Sequence, residues 1–305
     1  MRDHFIRSLH ELCIKDPRIV LITGDLGFGV FDKFKAERPH QFINAGVSEQ
    51  NMTMLATGMA LEGCIPFTYS IGNFPTLRCL EMIRNDAAYH NANVKIVSIG
   101  AGFSYGSLGI SHHATEDLTI MRSLPDVNVL SPSGLWEAVE ATKVAASSNG
   151  TFYLRLDKSF GQDEPINGEQ FELGMLRSLR DGDIPVIVTG GILKEVQDAA
   201  VLLSSKGIEI NILSAHTLKP LNISSLIHFV KGKKALVTVE EHTVSGGLGG
   251  LVAENLSDHG LMPSKFLRIG LNDIFSSIVG TQEFLRKSYN MDSLSIARRI
   301  ENLIA

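Results

Sequence analysis

Two stretches of this 305-residue sequence place reactive side chains where they could do chemistry. The first is Asn44-Ala45-Gly46-Val47-Ser48-Glu49-Gln50-Asn51-Met52. A strand signal, Gln41-Phe42-Ile43, runs into a glycine-containing turn, and a helix pattern follows with Met52, Leu55, Met59 and Ala60 on one face. Ser48 stands at the N-cap position and Gly63 is a stop signal after Glu62. Glu49 then falls in the first turn, where the helix dipole favours negative charge. Such acids are commonly surface groups. Small residues before Glu49 and an apolar helix after it point to burial instead, and an unpaired buried carboxylate is too costly to keep without a use.

The second stretch runs from Ala101 through Gly102, Gly106 and Gly109 to Ser111-His112-His113-Ala114-Thr115-Glu116-Asp117. A glycine-rich loop of this length usually has work to do. A lone histidine is more often structural, and metal ligation is disfavoured because no partner ligands stand at helical or Cys-rich spacing. Between the two stretches, Ile65-Pro66-Phe67-Thr68-Tyr69-Ser70 reads as a strand and Gly72-Asn73-Phe74 as a corner. A helix from about Pro75 follows, with Leu77, Leu80, Met82, Ile83 and Ala87 inward. On residue type alone, Phe74 staples a helix start as readily as it binds a ligand.

The Gly46-to-Asn51 string resembles the transketolase family of thiamine-diphosphate enzymes, whose pyrimidine-binding domain carries a Gly-(Val/Ile)-(Ser/Ala)-Glu-Gln-Asn/His element. The resemblance implies that Glu49 is catalytic and cofactor-binding. In the family this glutamate hydrogen-bonds an aminopyrimidine ring nitrogen and favours the imino tautomer, which takes the proton from the thiazolium carbon. The cofactor supplies the carbanion chemistry and the protein supplies orientation and electrostatics. By position Phe74 matches the aromatic residue that stacks on the pyrimidine, with Tyr69, Ile71 and Leu77 as further wall residues. Gly109 and His112 match the family's Gly-x-Thr-His element. That makes His112 a proton shuttle to substrate hydroxyl or carbonyl oxygens, a role suited to a group titrating near neutrality, and His113 a neighbour in the substrate site. Arg155 matches an arginine that grips a sugar phosphate, a task suited to bidentate hydrogen bonds, with Lys158 as a weaker companion. The bland reading of Arg155 is a surface salt bridge. Two departures are visible: Leu108 where many relatives carry an acid, and Gly100 or Ala101 where they carry a histidine.

The elements around these residues alternate. Arg18-Ile19-Val20-Leu21-Ile22-Thr23 is a strand buried on both faces, after an amphipathic helix over 3 to 15. It opens into Gly24-Asp25-Leu26-Gly27-Phe28-Gly29 at the carboxyl end, where open α/β sheets bind ligands, so Asp25 is a candidate substrate contact. The string is not a phosphate fingerprint. Further strands are expected at 93–100, 127–130 and 151–156, then at 185–189, 208–213, 235–239 and 266–269. Helices separate the last four, near 193–205, 221–230, 247–259 and 281–287. Two consecutive parallel-sheet α/β domains follow from that pattern: residues 1–165, a linker at 166–184, and residues 185–305. Lys219-Pro220-Leu221 and Thr238-Val239-Glu240-Glu241-His242 resemble landmarks of the family's C-terminal domain, and the Glu241-His242 pair is read as structural.

At 44% hydrophobic and 20% charged, the chain is an ordinary globular protein with enough residues for two cores. Net charge −5 and the absence of Lys/Arg runs argue against nucleic acid. No stretch approaches the roughly 18 apolar residues of a membrane span. Cys13, Cys64 and Cys79 lack Cys-x-x-Cys spacing, so reduced thiols and a cytoplasmic location are expected. The family's Gly-Asp-Gly motif, which holds Mg2+ and the diphosphate, is missing; Thr23-Gly24-Asp25 and Arg180-Asp181-Gly182-Asp183 are the nearest strings. The resemblance therefore implies a split enzyme, in which an N-terminal transketolase subunit supplies the metal and diphosphate site and two copies of each chain form an α2β2 heterotetramer. The expected activity is transfer of a two-carbon ketol unit from a ketose to an aldose. The rivals are a deoxyxylulose-phosphate-synthase-like or 2-oxo-acid-dehydrogenase-like beta subunit, and a non-catalytic interaction subunit.

Overall fold

The β-branched runs pair into two sheets in a computed structural model that describes residues 1–27, 29–166 and 168–305. Phe28, in the loop after the first strand, lies outside the described residues. The first sheet contains β1 (Ile19–Thr23), β2 (Phe42–Asn44), β3 (Ile65–Ile71), β4 (Lys95–Ile99), β5 (Val127–Leu130) and β6 (Thr151–Leu156), all paired in parallel. Every residue of β1, β4 and β6 is buried, as strands covered by helices on both faces require. Six strands follow: β7 (Arg177–Arg180), β8 (Ile184–Thr189), β9 (Ile210–Ser214), β10 (Thr217–Lys219), β11 (Ala235–Thr243) and β12 (Lys265–Leu271). Five of them form the second sheet, in the order β12-β11-β8-β9-β7.

Two features depart from the expected plan. β7 lies inside the segment read as a linker and pairs antiparallel with β9, so polar Arg-Ser-Leu-Arg still serves as an edge strand. β10 crosses back and pairs antiparallel with β5, closing the first sheet in the order β10-β5-β6-β4-β3-β1-β2. The two halves are stitched together by main chain as well as by side chains.

The first sheet has a core on each face. On one, Phe5 and Leu9 of the helix Arg2–Lys15 pack on Ile19, Leu21, Phe67 and Tyr69. On the other, Met52 and Ala56 of the helix Glu49–Leu61 pack on Val20 and Ile22. The second cluster continues through Leu213, Leu218, Leu236 and Leu248 of the C-terminal half. The residues turned inward on the helix Glu49–Leu61 are Glu49, Met52, Thr53, Ala56 and Thr57. This corrects the expected face: Leu55 is exposed, and Met59 and Ala60 lie half-buried at the core's margin. Glu49 sets the phase of the helix. Leu55, six residues on, is rotated roughly 240° away from it.

The segment expected as one helix from Pro75 is three short pieces, a 3-10 turn Leu77–Cys79, a helical turn Leu80–Met82 and a π-helical stretch Ile83–Ala88. π-bulges of this kind are common near functional sites. No helix of the described residues is long and apolar enough to cross a membrane.

A shared apolar cluster and a strand exchanged between the halves predict one cooperative unfolding step. Calorimetry of the full chain should show a single transition with calorimetric and van't Hoff enthalpies equal. Two separated transitions would contradict the shared core.

Candidate functional site

The carboxyl ends of β1, β2 and β3 bring the acidic helix start and the aromatic corner together. After β2, Asn44 organises the turn. Its Oδ1 accepts from the Asp25 and Gly46 backbone N–H groups, and its Nδ2 donates to Asp25 Oδ1 at 2.9 Å. Asp25 is exposed and adopts a left-handed backbone with φ +56, so one of its carboxylate oxygens is already committed to holding this turn. Gly24 stands behind Glu49, where a Cβ would lie 3.5 Å from Cγ and 3.7 Å from Oε1. The Glu49 side chain is only 3% exposed, and its Oε2 accepts from Arg78 Nη1 at 2.6 Å. Ser48 is the N-cap by position, without a side-chain cap bond.

Arg78 belongs to the turn that follows Phe74, and its Cζ lies 4.6 Å from the Phe74 ring centroid. His112 meets the same ring edge-on, with centroids 5.1 Å apart and planes at 70°. Ser111 Oγ lies 3.0 Å from His112 Nδ1. Burial, and then the neighbouring His113, push the His112 imidazole below its ordinary value of 6.5. Asn73 Nδ2 donates to the His113 carbonyl at 2.6 Å and ties the histidine loop to the corner. Glu49, Arg78, Phe74 and His112 therefore form one contiguous row.

Several expected residues lie elsewhere. Tyr69 is 2% exposed and packs between Phe5 and Phe31, on the sheet face opposite Glu49, because successive strand residues point to opposite sides. It is a core residue and not a cofactor wall. Ile71 shares that face and packs against the same core. Leu77 is exposed beside Arg78. His113 is buried against the edge of Phe103, with Nε2 3.2 Å from the Gly106 carbonyl, so its ring is turned into the protein beneath the loop. Lys158 Nζ lies over the Tyr105 ring at 3.6 Å.

Arg155 is neither a phosphate grip nor a surface ion pair. It is 1% exposed; its Nε donates to Asp117 Oδ2 at 2.8 Å, and Nη2 donates to the carbonyls of Ala114 and Glu241 at 2.8 and 3.1 Å. Its fork is spent on the end of the histidine loop and on β11. The same region explains the Glu241-His242 pair. Glu241 accepts from the Phe103 backbone N–H, Gln282 and Arg286. His242, pushed down to about 4 by burial, accepts from the Leu118 backbone N–H through Nε2 at 3.1 Å. A Cβ on Gly102, where φ is +54, would come within 2.4 Å of Glu241 Oε1, so glycine is needed for this approach. The C-terminal half thus clamps the base of the loop that carries His112.

The row fits one half of the cofactor implied by the sequence. A buried acid suits a ring nitrogen, and an aromatic face suits the ring plane. For a metal-bound diphosphate the residues do not fit: among the described residues no group of three or more His, Cys, Asp or Glu could hold a metal ion. Sequence reasoning missed Arg78. The available signal was its position four residues after Phe74, a spacing that brings side chains together on a helical turn.

The family models that match are those of the transketolase pyrimidine binding domain, over residues 1–162, and of the transketolase C-terminal domain, over residues 175–296. A Methanocaldococcus jannaschii protein described as a transketolase C-terminal section is 38% identical over 304 residues, covering 98% of this chain and 95% of its own. An Actinobacillus succinogenes protein, named as one subunit of an apulose-4-phosphate transketolase, is 33% identical, covering 86% of this chain and 85% of its own. Among solved structures, a split-gene transketolase described as an inactive beta4 tetramer superposes with a TM-score of 0.87 at 32% identity, covering 99% of this chain and 97% of that one.

Two measurements check the geometry. Arg155→Ala leaves Asp117 as a buried charge without its cation and should cost about 3–5 kcal/mol in denaturant unfolding; a loss below about 1 kcal/mol would restore the surface reading. In an NMR titration the His112 ring should show its midpoint below 6.5, leaving it neutral at pH 7. A midpoint at or above 6.5 contradicts the desolvated position.

Proposed function

The chain belongs to the transketolase family of thiamine-diphosphate enzymes, and from that premise we propose that it is the pyrimidine-side subunit of a two-component transketolase. The proposed reaction moves a two-carbon ketol unit from a ketose to an aldose. One observation carries the reading: a carboxyl group withdrawn from water, an aromatic face and a neutral-leaning histidine stand in one row at the carboxyl edge of a parallel sheet.

Thiamine diphosphate would supply a stabilised carbanion for breaking and making the carbon–carbon bond. Glu49 would hold the ring nitrogen of the aminopyrimidine and share a proton with it, and Phe74 would pack against the ring. His112, already neutral at pH 7, would take the proton from the donor hydroxyl as the donor's carbon–carbon bond breaks and that oxygen becomes the released aldehyde. It would then give the proton to the acceptor's aldehyde oxygen, which becomes a hydroxyl as the new bond forms. The clamp of Arg155 and Glu241 at the loop's base restricts where that imidazole can go. Asp25, at the loop after β1, is a substrate contact in this proposal.

The partner is a chain carrying the Gly-Asp-Gly motif and a downstream Asn, which binds Mg2+ and the diphosphate; two copies of each chain form the active heterotetramer in the cytoplasm. The name of the Actinobacillus relative, as one subunit of its enzyme, supports a two-chain transketolase acting on a sugar phosphate. Leu108, exposed where many relatives carry an acid, argues for a donor whose hydroxyl pattern differs from that of the common pentose phosphates.

The test combines the chain with such a partner, thiamine diphosphate and Mg2+, and follows transfer between ketose and aldose by NMR. Glu49→Ala should lower the rate by about a hundredfold or more, the scale of a lost acid–base group. No transfer with any ketose–aldose pair, or release of carbon dioxide from pyruvate in its place, would overturn the assignment.

A further inference from the structure

We propose that Arg78 is a resident stand-in for the aminopyrimidine ring: in the isolated chain its guanidinium occupies the position between Glu49 and Phe74, and ring entry displaces it. This rests on the reading of Glu49 and Phe74 as the pyrimidine site.

A guanidinium and an aminopyrimidine share their recognition chemistry. Both are flat and both stack by a face; a guanidinium directs N–H donors at a carboxylate from its edge, and an aminopyrimidine does so through the proton that its ring nitrogen shares with the acid. Arg78 uses the two features at once, bonding Glu49 Oε2 at 2.6 Å and lying over Phe74 at 4.6 Å. A simple ion-pair partner needs only the first contact, and a simple cover for the ring only the second.

Burial is distributed so that only one partner can leave. The Arg78 side chain is 45% exposed while that of Glu49 is 3% exposed. The arginine can swing into water on its own stem, whereas Glu49 is held by its helix and backed by Gly24. The turn that carries the stem stays anchored, because Thr76 Oγ1 donates to the Gly72 carbonyl at 3.0 Å. Exchange is then one for one: the proton shared between Glu49 and the incoming ring nitrogen replaces the guanidinium N–H, and one planar face replaces another. Glu49 is never left buried without a donor, the state that costs most.

A competitor built into the site reduces the apparent affinity of whatever displaces it by the fraction of chains in which the site is open. Arg78→Ala should therefore bind the ring more tightly, the opposite of what removing a holding residue does. The probe is 4-amino-2,5-dimethylpyrimidine, titrated into the full-length chain by calorimetry or NMR. We expect Arg78→Ala to bind it about three- to tenfold more tightly than the unchanged chain. Glu49→Gln should weaken binding in both backgrounds. Millimolar guanidinium ion should compete with the probe in Arg78→Ala and leave the unchanged chain unaffected, since only the first has the position open to it. Weakening by Glu49→Gln with no gain from Arg78→Ala overturns the stand-in and leaves the pyrimidine site in place. No effect of Glu49→Gln, including no binding by any variant, overturns the site itself and the stand-in with it.

Discussion

A carboxylate withdrawn from water must be given a donor, and most of this molecule's special geometry answers that requirement. Glu49 has Arg78, Asp117 has Arg155 and Tyr153, and Glu241 has Arg286, Gln282 and a backbone N–H. Glu240 is pushed up to about 7 by burial and accepts from the N–H groups of Leu248 and Gly249 at the start of a helix. Asp163, nearer the domain junction, does the same for Trp136 and Glu137. Glu49 differs from the others in one respect. Its side-chain donor is half-exposed, while theirs are buried side chains or backbone. The buried acids at the domain junction therefore act as permanent fasteners, and Glu49 is the one whose partner can be exchanged.

The fasteners make the fold a platform for a loop. Arg155 reaches the Ala114 carbonyl on one side and the Glu241 carbonyl on the other, and Gly102 and Ala114 pair with each other across the loop's neck. His112 sits beyond that neck, with its ring against Phe74. The C-terminal half contributes none of the residues in the row. Its contribution is the rigidity of the loop that carries one of them, together with β10, which completes the edge of the first sheet. This explains why Glu241 and His242, conspicuous as a catalytic-looking pair, are occupied with backbone groups and buried side chains instead.

What could be read from the sequence divides along the distance between a residue and its partner. Glu49, Phe74 and His112 lie in short strings whose turn and helix signals are local, and the structure brings the three into one row. Most of the strands were legible for the same reason, since β-branched runs such as Ile19–Thr23 advertise a strand by themselves. Arg155, Tyr69 and His113 were misread because their surroundings are supplied from afar. Asp117 and Glu241 reach Arg155 across 38 and 86 residues, and Phe5 arrives at Tyr69 from the first helix. Composition cannot distinguish an arginine that grips a ligand from one that grips a carboxylate in the core. On the helix Glu49–Leu61 the expected face holds for Met52, with Met59 and Ala60 at its margin, and fails at Leu55. Glu49, Thr53 and Thr57 share the inward side with Met52 and Ala56, leaving Met54, Leu55 and Leu61 exposed.

Those exposed apolar residues bear on how a cofactor could be held. Thiamine diphosphate has an aromatic head and a charged tail, and this chain offers the head an acid and a ring, while among the described residues no group of three or more His, Cys, Asp or Glu is placed to hold a metal ion for the tail. The same chemistry cannot serve both ends: a site for a metal-bound diphosphate needs several carboxylates and amide oxygens open to a hard cation, while Glu49 works only where water is kept out. Val47, Met54, Leu55, Leu61 and Leu77, all exposed, cluster in sequence around Glu49 and Phe74. A surface that closes over them would shield Glu49 further and bring the charged end's ligands from outside.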